Sequence, residues 1–407
     1  MNEFAKSPKL ISIQKERLMP QEEMLEVGSK NKKFVIGVPR EVDENEGRVA
    51  LTPLGVELLI NSGHEVMIEK NAGAIANFSD YDYSKYGAFI VDHKNEVFKA
   101  DIILKVAPLV FEEIDFLTSG QLVISSLHVT FQSKEYLEKM MEKRVTAISF
   151  EYLKDQNNTY PIVRSMSEIV GSTSVLIAAE YLSNIHGGKG EMLGGITGVN
   201  PTEVVILGAG TAGESAARTA IGLGAMVRIF DNSIYKLRRI QDHLGNRIST
   251  SVLHSKVLIN SLKTADVVIG AVRLIEKGPR FIVTEEMVKT LKKGSVIIDI
   301  SIDQGGCFET SELTTHKNPV FIKHGVMHYC VPNTASRVAR TASYAISNIL
   351  SQLVIQVGES GGINQLLKND SGVRNGVYIY RGILTNEYIG NLFGLRAKDI
   401  NLLMAAF

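Results

Sequence analysis

Short apolar runs alternate with amphipathic stretches along most of the chain. Residues 34–39 are an apolar run suited to a buried strand. A loop follows with Glu41, Asp43, Glu44, Glu46 and Arg48. Thr52-Pro53 then opens a helix, because a threonine oxygen can accept a first-turn N–H and proline fits the first helical position. Asn61-Ser62-Gly63 stops that helix, and 65–70 reads as the next strand. Further strands are expected at 102–106 and 122–125, with helical segments between them. This alternation predicts parallel βαβ units. Residues 165–187 predict one long helix, with Ser165 and Glu168 at capping-box spacing. A glycine-rich loop, 187–198, follows. A second α/β series has strands expected at 203–207, 226–230, 266–270 and 295–300. Beyond Val331-Pro332-Asn333 the pattern turns helical, notably over 341–357, and closes on an apolar-rich tail, 399–407. Residues 1–33 are polar, with a short helix expected around 21–27, and read as an extension outside the core. The fold class expected is α/β, with two Rossmann-like parallel-sheet domains and a cleft between them.

Composition narrows the classes. A chain of 407 residues suits two domains, and 44% apolar content is that of a globular protein. Lys+Arg and Asp+Glu are equal at 44 each, so nothing favours a nucleic-acid partner or an anionic membrane surface. No apolar run is expected to reach bilayer length. Cys307 and Cys330 are too few for a disulfide framework, and the N-terminus lacks a signal-peptide core. A soluble protein of the reducing cytoplasm is expected.

The strongest chemical signal lies in 203–231. Five residues, mostly apolar, end at Gly208-Ala209-Gly210-Thr211-Ala212-Gly213, a helical pattern follows, and a second strand ends at Asp231. Gly208 allows the tight turn, Gly210 lets backbone approach a pyrophosphate, and Gly213 lets helix and strand close up. The helix N-terminus offers free N–H groups to phosphate. Asp231, 18 residues beyond Gly213, would accept from the adenosine ribose hydroxyls and repel a 2′-phosphate, which favours NAD over NADP. The alternative is a structural glycine turn; the ordered strand, helix, strand and acid argue against it.

Ionisable groups at the ends of apolar runs supply the rest. Lys105 and His128 end two such runs, Asp299 and Asp303 punctuate 296–303, and Arg48 follows the first strand. Singly, each has a plain alternative: a solvated lysine, a satisfied core histidine, an aspartate capping a loop. Together they suit an acid substrate, with Arg and Lys for a carboxylate and His and Asp for protons. His324 and His328 lack a third ligand in frame, so no metal is expected. Cys307 has no basic neighbour to mark it as a nucleophile.

These segments resemble the alanine dehydrogenase family, which is related to the alpha subunit of the proton-translocating nicotinamide nucleotide transhydrogenase. The likeness covers about 34–360. It is carried by Gly37-Val38-Pro39-Arg40-Glu41, Arg48-Val49-Ala50-Leu51-Thr52-Pro53, Ser62-Gly63-His64-Glu65-Val66, Leu104-Lys105-Val106, Met166-Ser167-Glu168, the loop 187–198, the 208–213 turn, and the long run from Asp299 to Glu309. The resemblance implies reversible NAD-dependent oxidative deamination of L-alanine to pyruvate and ammonia. It implies that Arg48 and Lys105 hold the substrate carboxylate and that His128 and Asp303 transfer protons. It places Ser167, Gly208, Gly210, Thr211, Ala212 and Gly213 at the pyrophosphate, and Asp231 and Lys236 at the adenosine end. Val272, Ile300, Ser301, Ile302, Asp303, Val331, Asn333 and Thr334 would line the nicotinamide half. It implies a catalytic domain of 34–160 with 340–407, a Rossmann domain of 161–339 inserted between them, and a homohexamer.

The chain departs from the family pattern at Thr334 and Ala335, where many members have Met-Pro, and at Ala339, Leu253 and Glu312, which stand for a proline, a serine and an arginine. The transhydrogenase relative has a glutamine where Asp303 stands, and its alpha chains often continue into membrane helices. Asp303 therefore favours the deaminating enzyme. Dehydrogenases of the lysine/saccharopine branch would need a larger pocket, and a purely regulatory NAD-binding protein would leave the four polar groups idle.

Overall fold

The computed structural model describes residues 31–245, 248–272 and 281–406. The helix expected around 21–27 lies outside them. The first six strands are β1 Val35–Val38, β2 Glu65–Glu69, β3 Phe89–Val91, β4 Ile102–Leu104, β5 Leu122–Ser125 and β6 Thr146–Ser149. Seven more follow: β7 Glu203–Leu207, β8 Met226–Phe230, β9 Ser249–Ser251, β10 Val267–Gly270, β11 Val296–Asp299, β12 Val320–Lys323 and β13 Val326–Tyr329. The chain then returns to the first sheet with β14 Val377–Tyr380 and β15 Ile383–Leu384.

Two sheets result, ordered β15-β14-β6-β5-β4-β1-β2-β3 and β12-β13-β11-β10-β7-β8-β9. Both are parallel except at one edge, where β14 and β15 in the first sheet and β12 in the second run antiparallel to their neighbours.

Alternating side chains of the central strands enter different cores, as a sheet covered on both faces requires. Ile102 and Leu104 join the core on one face of the first sheet, while Ile103 joins the other. Val204 and Ile206 face one core of the second sheet; Val205 and Leu207 face its opposite. The continuous apolar runs in the sequence have this origin.

Local signals hold at the first helix, Pro53–Asn61. Thr52 caps it by accepting from Gly55 N–H, and Pro53 sits in its first turn. The long helix differs from expectation. It spans Pro161–Leu182, not 165–187, and Tyr160 precedes it without a side-chain cap. Ser165 instead donates to Pro161 O inside the helix, and Glu168 pairs with Arg164. Proline's fixed φ starts the helix one turn before the capping-box spacing suggested. By length and composition this helix could also cross a membrane, which corrects the reading that no apolar run reaches that length. Its Ile162 and Met166 pack in the first sheet's core, and its Val175, Ile177, Ala178, Tyr181 and Leu182 in the second's. It is a core helix that joins the two sheets. The return helix, Ala339–Glu359, buries Ile346, Leu350, Val354 and Val357 in the first core. The tail forms a helix, Ile400–Ala406, whose Leu403 and Met404 reach the same core.

Candidate functional site

Each sheet contains the same doubly wound order, β3-β2-β1-β4-β5-β6 and β9-β8-β7-β10-β11-β13. Connections leave in opposite directions between β1 and β4, and between β7 and β10, which opens a crevice at the carboxyl ends of those strands. The candidate residues gather there. Arg48 follows β1, Lys105 follows β4 directly, and His128 lies three residues beyond β5. In the second sheet Gly208–Gly213 follows β7, Asp231 follows β8, Val272 lies beyond β10, Ile300–Asp303 follows β11, and Val331–Thr334 follows β13.

The turn after β7 has the geometry of a phosphate cradle. Gly208 adopts φ +106°, and a Cβ there would lie 2.4 Å from Ala271 O. A Cβ on Gly213 would lie 1.9 Å from Gly208 O, so only glycine lets the helix Thr211–Gly222 start this close to its strand. A Cβ on Gly210 would meet nothing within 4 Å. Gly210 is also the N-cap and supplies no capping side chain, so the first-turn N–H groups, Thr211 and Ala212 among them, are left without a capping bond beside that open space. Gly171 of the long helix presses on Ala212 O, where a Cβ would come to 2.2 Å. Ser167 lies one helical turn before Gly171. Asp231 accepts from Ala209 N–H (2.8 Å) and Ser233 N–H (2.7 Å), with Lys236 Nζ 3.9 Å away. Val272 packs against Gly208. These groups fit a dinucleotide: open space at a helix N-terminus, and a carboxylate at the end of the next strand.

The first sheet contributes two buried cations, each held by glutamates. Glu46 grips the Arg48 guanidinium with two bonds, Nε to Oε1 (2.7 Å) and Nη2 to Oε2 (2.5 Å). Burial works against both charges, but each overrides it for the other: the Glu46 carboxyl lies below its ordinary pKa and Arg48 above its own. The remaining Arg48 nitrogen, Nη1, has Met166 Sδ (3.5 Å) as its one partner among the described residues, which leaves the end-on edge to a carboxylate. Lys105 is 1% exposed and its ammonium meets three acceptors: Glu41 (2.7 Å), Pro108 O (3.2 Å) and Glu113 (3.5 Å). A substrate carboxylate reaching Lys105 would replace one of them. Burial pushes Glu41 up to about 7 against the pull of Lys105, while Glu41 and Glu113 raise Lys105 in turn.

His128 sits in the left-handed region at φ +47° and directs a half-exposed ring outward. Glu151, just past β6, holds it there. One oxygen of Glu151 accepts from Leu127 N–H, His128 N–H and the Ser149 hydroxyl (2.9, 3.2 and 3.1 Å), and the other lies 3.6 Å from His128 Nε2. Asp303 is on the short turn Ile302–Gln304. Desolvation raises its pKa, offset by Asn333 N–H and by the charges of His128 and Arg48. Arg48 and His128 are therefore near enough for their charges to act on Asp303, and Asn333 bonds both Asp303 and the Glu46 that grips Arg48.

Other expected residues serve the loops. Asp299 is 1% exposed and accepts from Ser301 N–H, Cys307 N–H and the Ser311 hydroxyl, so it organises the turn and is not free for substrate. Ser301 Oγ donates to Gly270 O, Ile300 N–H bonds the same carbonyl, and Ile302 is buried. Thr334 folds its hydroxyl back onto Val331 O and is buried, which makes it part of the loop's own packing. Burial beside Asp299 drives the Cys307 thiol well above its ordinary pKa, an inert position. His328 is buried on β13 with Thr310 and Val326 O as partners, and burial lowers it to about 4; His324, on the adjoining turn, pairs with Glu285.

Sequence reasoning missed the carboxylates that position these groups: Glu41, Glu46, Glu113 and Glu151. Glu151 was findable, because it follows an apolar strand just as His128 does. The other three carried no spacing that would single them out.

Comparison with known proteins agrees with this architecture. The family model described as alanine dehydrogenase/PNT, N-terminal domain, matches residues 37–170, and its C-terminal domain counterpart matches 174–387. Alanine dehydrogenase 2 of Staphylococcus aureus is 38% identical over 367 residues, covering 90% of this chain and 98% of that one. A solved L-alanine dehydrogenase superposes with a TM-score of 0.83 at 35% identity, covering 88% of this chain and 99% of that one. A transhydrogenase from Sinorhizobium meliloti shares the fold, with a TM-score of 0.75 at 24% identity over 87% of this chain and 99% of that one. The chain belongs to the alanine dehydrogenase/PNT family.

Proposed function

We propose that this chain catalyses the reversible reaction of L-alanine, NAD and water to pyruvate, ammonium, NADH and a proton. The observation that carries this reading is that Arg48, His128 and Asp303 all follow the carboxyl ends of strands in two doubly wound sheets, as the Gly208–Gly213 cradle does, with Asn333 bonding both Asp303 and the Glu46 that grips Arg48. The cradle and Ser167 hold the pyrophosphate, Asp231 and Lys236 the adenosine end, and Val272, Ile300–Asp303 and Val331–Thr334 the nicotinamide end. Bound NAD supplies the hydride acceptor.

The protein's own groups do the rest. The free edge of Arg48 takes the substrate carboxylate, with Lys105 as the second cation once it yields one of its acceptors. This fixes the α-carbon between the two lobes. His128, aimed by Glu151, receives the proton that the α-amino group must lose before its carbon gives up hydride. Asp303 takes a proton from the water that adds to the iminium carbon and passes it to solvent; His128 then protonates the amino group so that ammonia leaves, and takes up the carbinolamine hydroxyl proton as the C=O of pyruvate forms. Closure of the lobes excludes water during hydride loss, and their opening readmits it for hydrolysis.

We assign the catalytic lobe to 34–160 with 340–407 and the NAD lobe to 161–339. We also propose a cytoplasmic homohexamer. The glycine-rich loop and its flanks support assembly by exposing Ile185, Met192, Ile196 and Val199, an apolar set that a second copy would cover. Light scattering tests it: a mass six times that of the chain is expected, and a monomer refutes it.

The activity is tested by NADH absorbance with NAD and L-alanine at alkaline pH, beside serine, lysine and an NADP control. NADH formation with alanine alone is expected. Silence with every amino acid, together with tight NADH binding, refutes the dehydrogenase assignment.

A further inference from the structure

The loop 43–48 leaves the first sheet and makes contacts with the second-sheet side that bear on the site. Lys317 forms an ion pair with Glu44 at 2.7 Å. Gly47 N–H donates to Ser336 Oγ at 2.6 Å. The Asn333 amide donates to Asn45 O (3.3 Å) and to Glu46 Oε2 (2.9 Å), while its backbone N–H donates to Asp303 Oδ1 (3.3 Å). Asn333, four residues past β13, thus holds both Asp303 and the carboxylate that grips Arg48.

The geometry of that grip matters. Glu46 is 2% exposed and engages the Nε/Nη2 edge of the guanidinium. A planar fork held along one edge presents its other edge in a single direction. Glu46 therefore sets where Arg48 points, and Asn333 sets where Glu46 sits. If the lobes separate, the bond from Asn333 is lost and Glu46 is held from its own side alone.

We propose that Glu46 is a positioning residue that, through Asn333, ties the aim of Arg48 and hence the capture of the substrate carboxylate to the seating of loop 331–336 against loop 43–48. The proposal rests on the reading that Arg48 binds the substrate carboxylate. It makes carboxylate affinity a property of the closed cleft: the cation is aimed when the segment carrying Asp303's partner is in place.

The test uses the full chain with Glu46→Gln, Asn333→Gly, their combination and Arg48→Ala. Glycine at 333 keeps the φ of +55° without strain and keeps the backbone bond to Asp303. The readouts are the alanine KM, the inhibition constant of propionate as a carboxylate without the reacting amine, and NADH affinity by fluorescence. Each single variant is expected to raise the alanine KM and the propionate constant about tenfold, with Glu46→Gln leaving NADH affinity within about twofold. The double variant is expected to be no worse than the poorer single, because both changes break one linkage. Effects that multiply to about a hundredfold, or an alanine KM that stays put in both singles, overturn the proposal. If Glu46→Gln fails to fold, Asn333→Gly alone decides: an alanine KM near that of the parent overturns it. Arg48→Ala separates the two levels. If it leaves the alanine KM and propionate inhibition unchanged, the underlying reading falls; if it raises them while Glu46→Gln and Asn333→Gly do not, only this inference falls.

Discussion

Replacing Gly210 with alanine separates folding from cofactor binding at a single atom. The backbone there has φ −77° and ψ −172°, which alanine adopts freely, and the added Cβ meets nothing within 4 Å. Two small stability terms oppose each other. Alanine is a poorer N-cap than glycine by roughly 0.5–1 kcal/mol, while the loss of glycine's unfolded-state freedom favours alanine by about 0.4–1 kcal/mol. They nearly cancel, so Tm should move by no more than about 2 °C. Binding responds differently, because the open space is the place for a pyrophosphate oxygen. A methyl group there forces the phosphate off the helix N-terminus and weakens at least one charge-assisted hydrogen bond, worth about 1.5–3 kcal/mol. NADH affinity, read by fluorescence titration, should fall about ten- to hundredfold. Gly213→Ala is the counterpart. Its Cβ would lie 1.9 Å from Gly208 O, so it should lower Tm by several degrees as well as weaken binding. A Gly210→Ala protein that binds NADH like the parent would refute the cradle, because the empty space would then have no occupant.

Three further outcomes are expected. His128→Ala should cut kcat by about 10²–10⁴ while NADH affinity holds; normal turnover would remove His128 from proton transfer. Asp231→Asn retains an oxygen for the Ala209 or Ser233 N–H but loses the charge. It should raise the NAD KM far more than the alanine KM and let NADP compete, and an unchanged NAD KM would take Asp231 off the ribose. Glu41 has its pKa raised from 4.5 to about 7, so the folded chain holds a proton there that the unfolded chain releases. Stability should therefore fall as pH rises through that window, by at most about 1.4 kcal/mol per pH unit from this group, and level off above it. Urea titrations of Glu41→Gln should show that slope removed; the same slope in parent and variant would disprove the proton at Glu41.

The order of strands and the dinucleotide turn were legible because their signals are local. An apolar run, a G-x-G-x-x-G and a strand ending in aspartate are each read within about thirty residues, and hydrogen bonding along β7 and β8 follows the same chain order. The candidate acids and bases were legible for a related reason, since an ionisable side chain at the end of an apolar run has few places to go but a strand's carboxyl end. The start of the long helix was misjudged because two local signals competed, and Pro161 prevailed over Ser165 and Glu168.

What no local pattern contained is who faces whom. Asp299 and Asp303 are four residues apart in the same run, yet one is used up by Ser301, Cys307 and Ser311 and the other accepts from Asn333 N–H within reach of the His128 and Arg48 charges. Thr334 read as a pocket residue; that its hydroxyl bonds Val331 O within its own loop came only from the fold. Glu46 and Asn333 are 287 residues apart, and the bond between them exists only because Pro161–Leu182 and Ala339–Glu359 bring the chain out of one sheet and back to it. The sequence by itself determined the two sheets, the cofactor turn and the kinds of chemical group at the strand ends, through periodicity and backbone geometry that act over a few residues. Only the tertiary structure decided which of those groups are neutralised, which stay free and which are coupled across the cleft, because hydrogen bonds and burial depend on neighbours that the chain brings together from far apart.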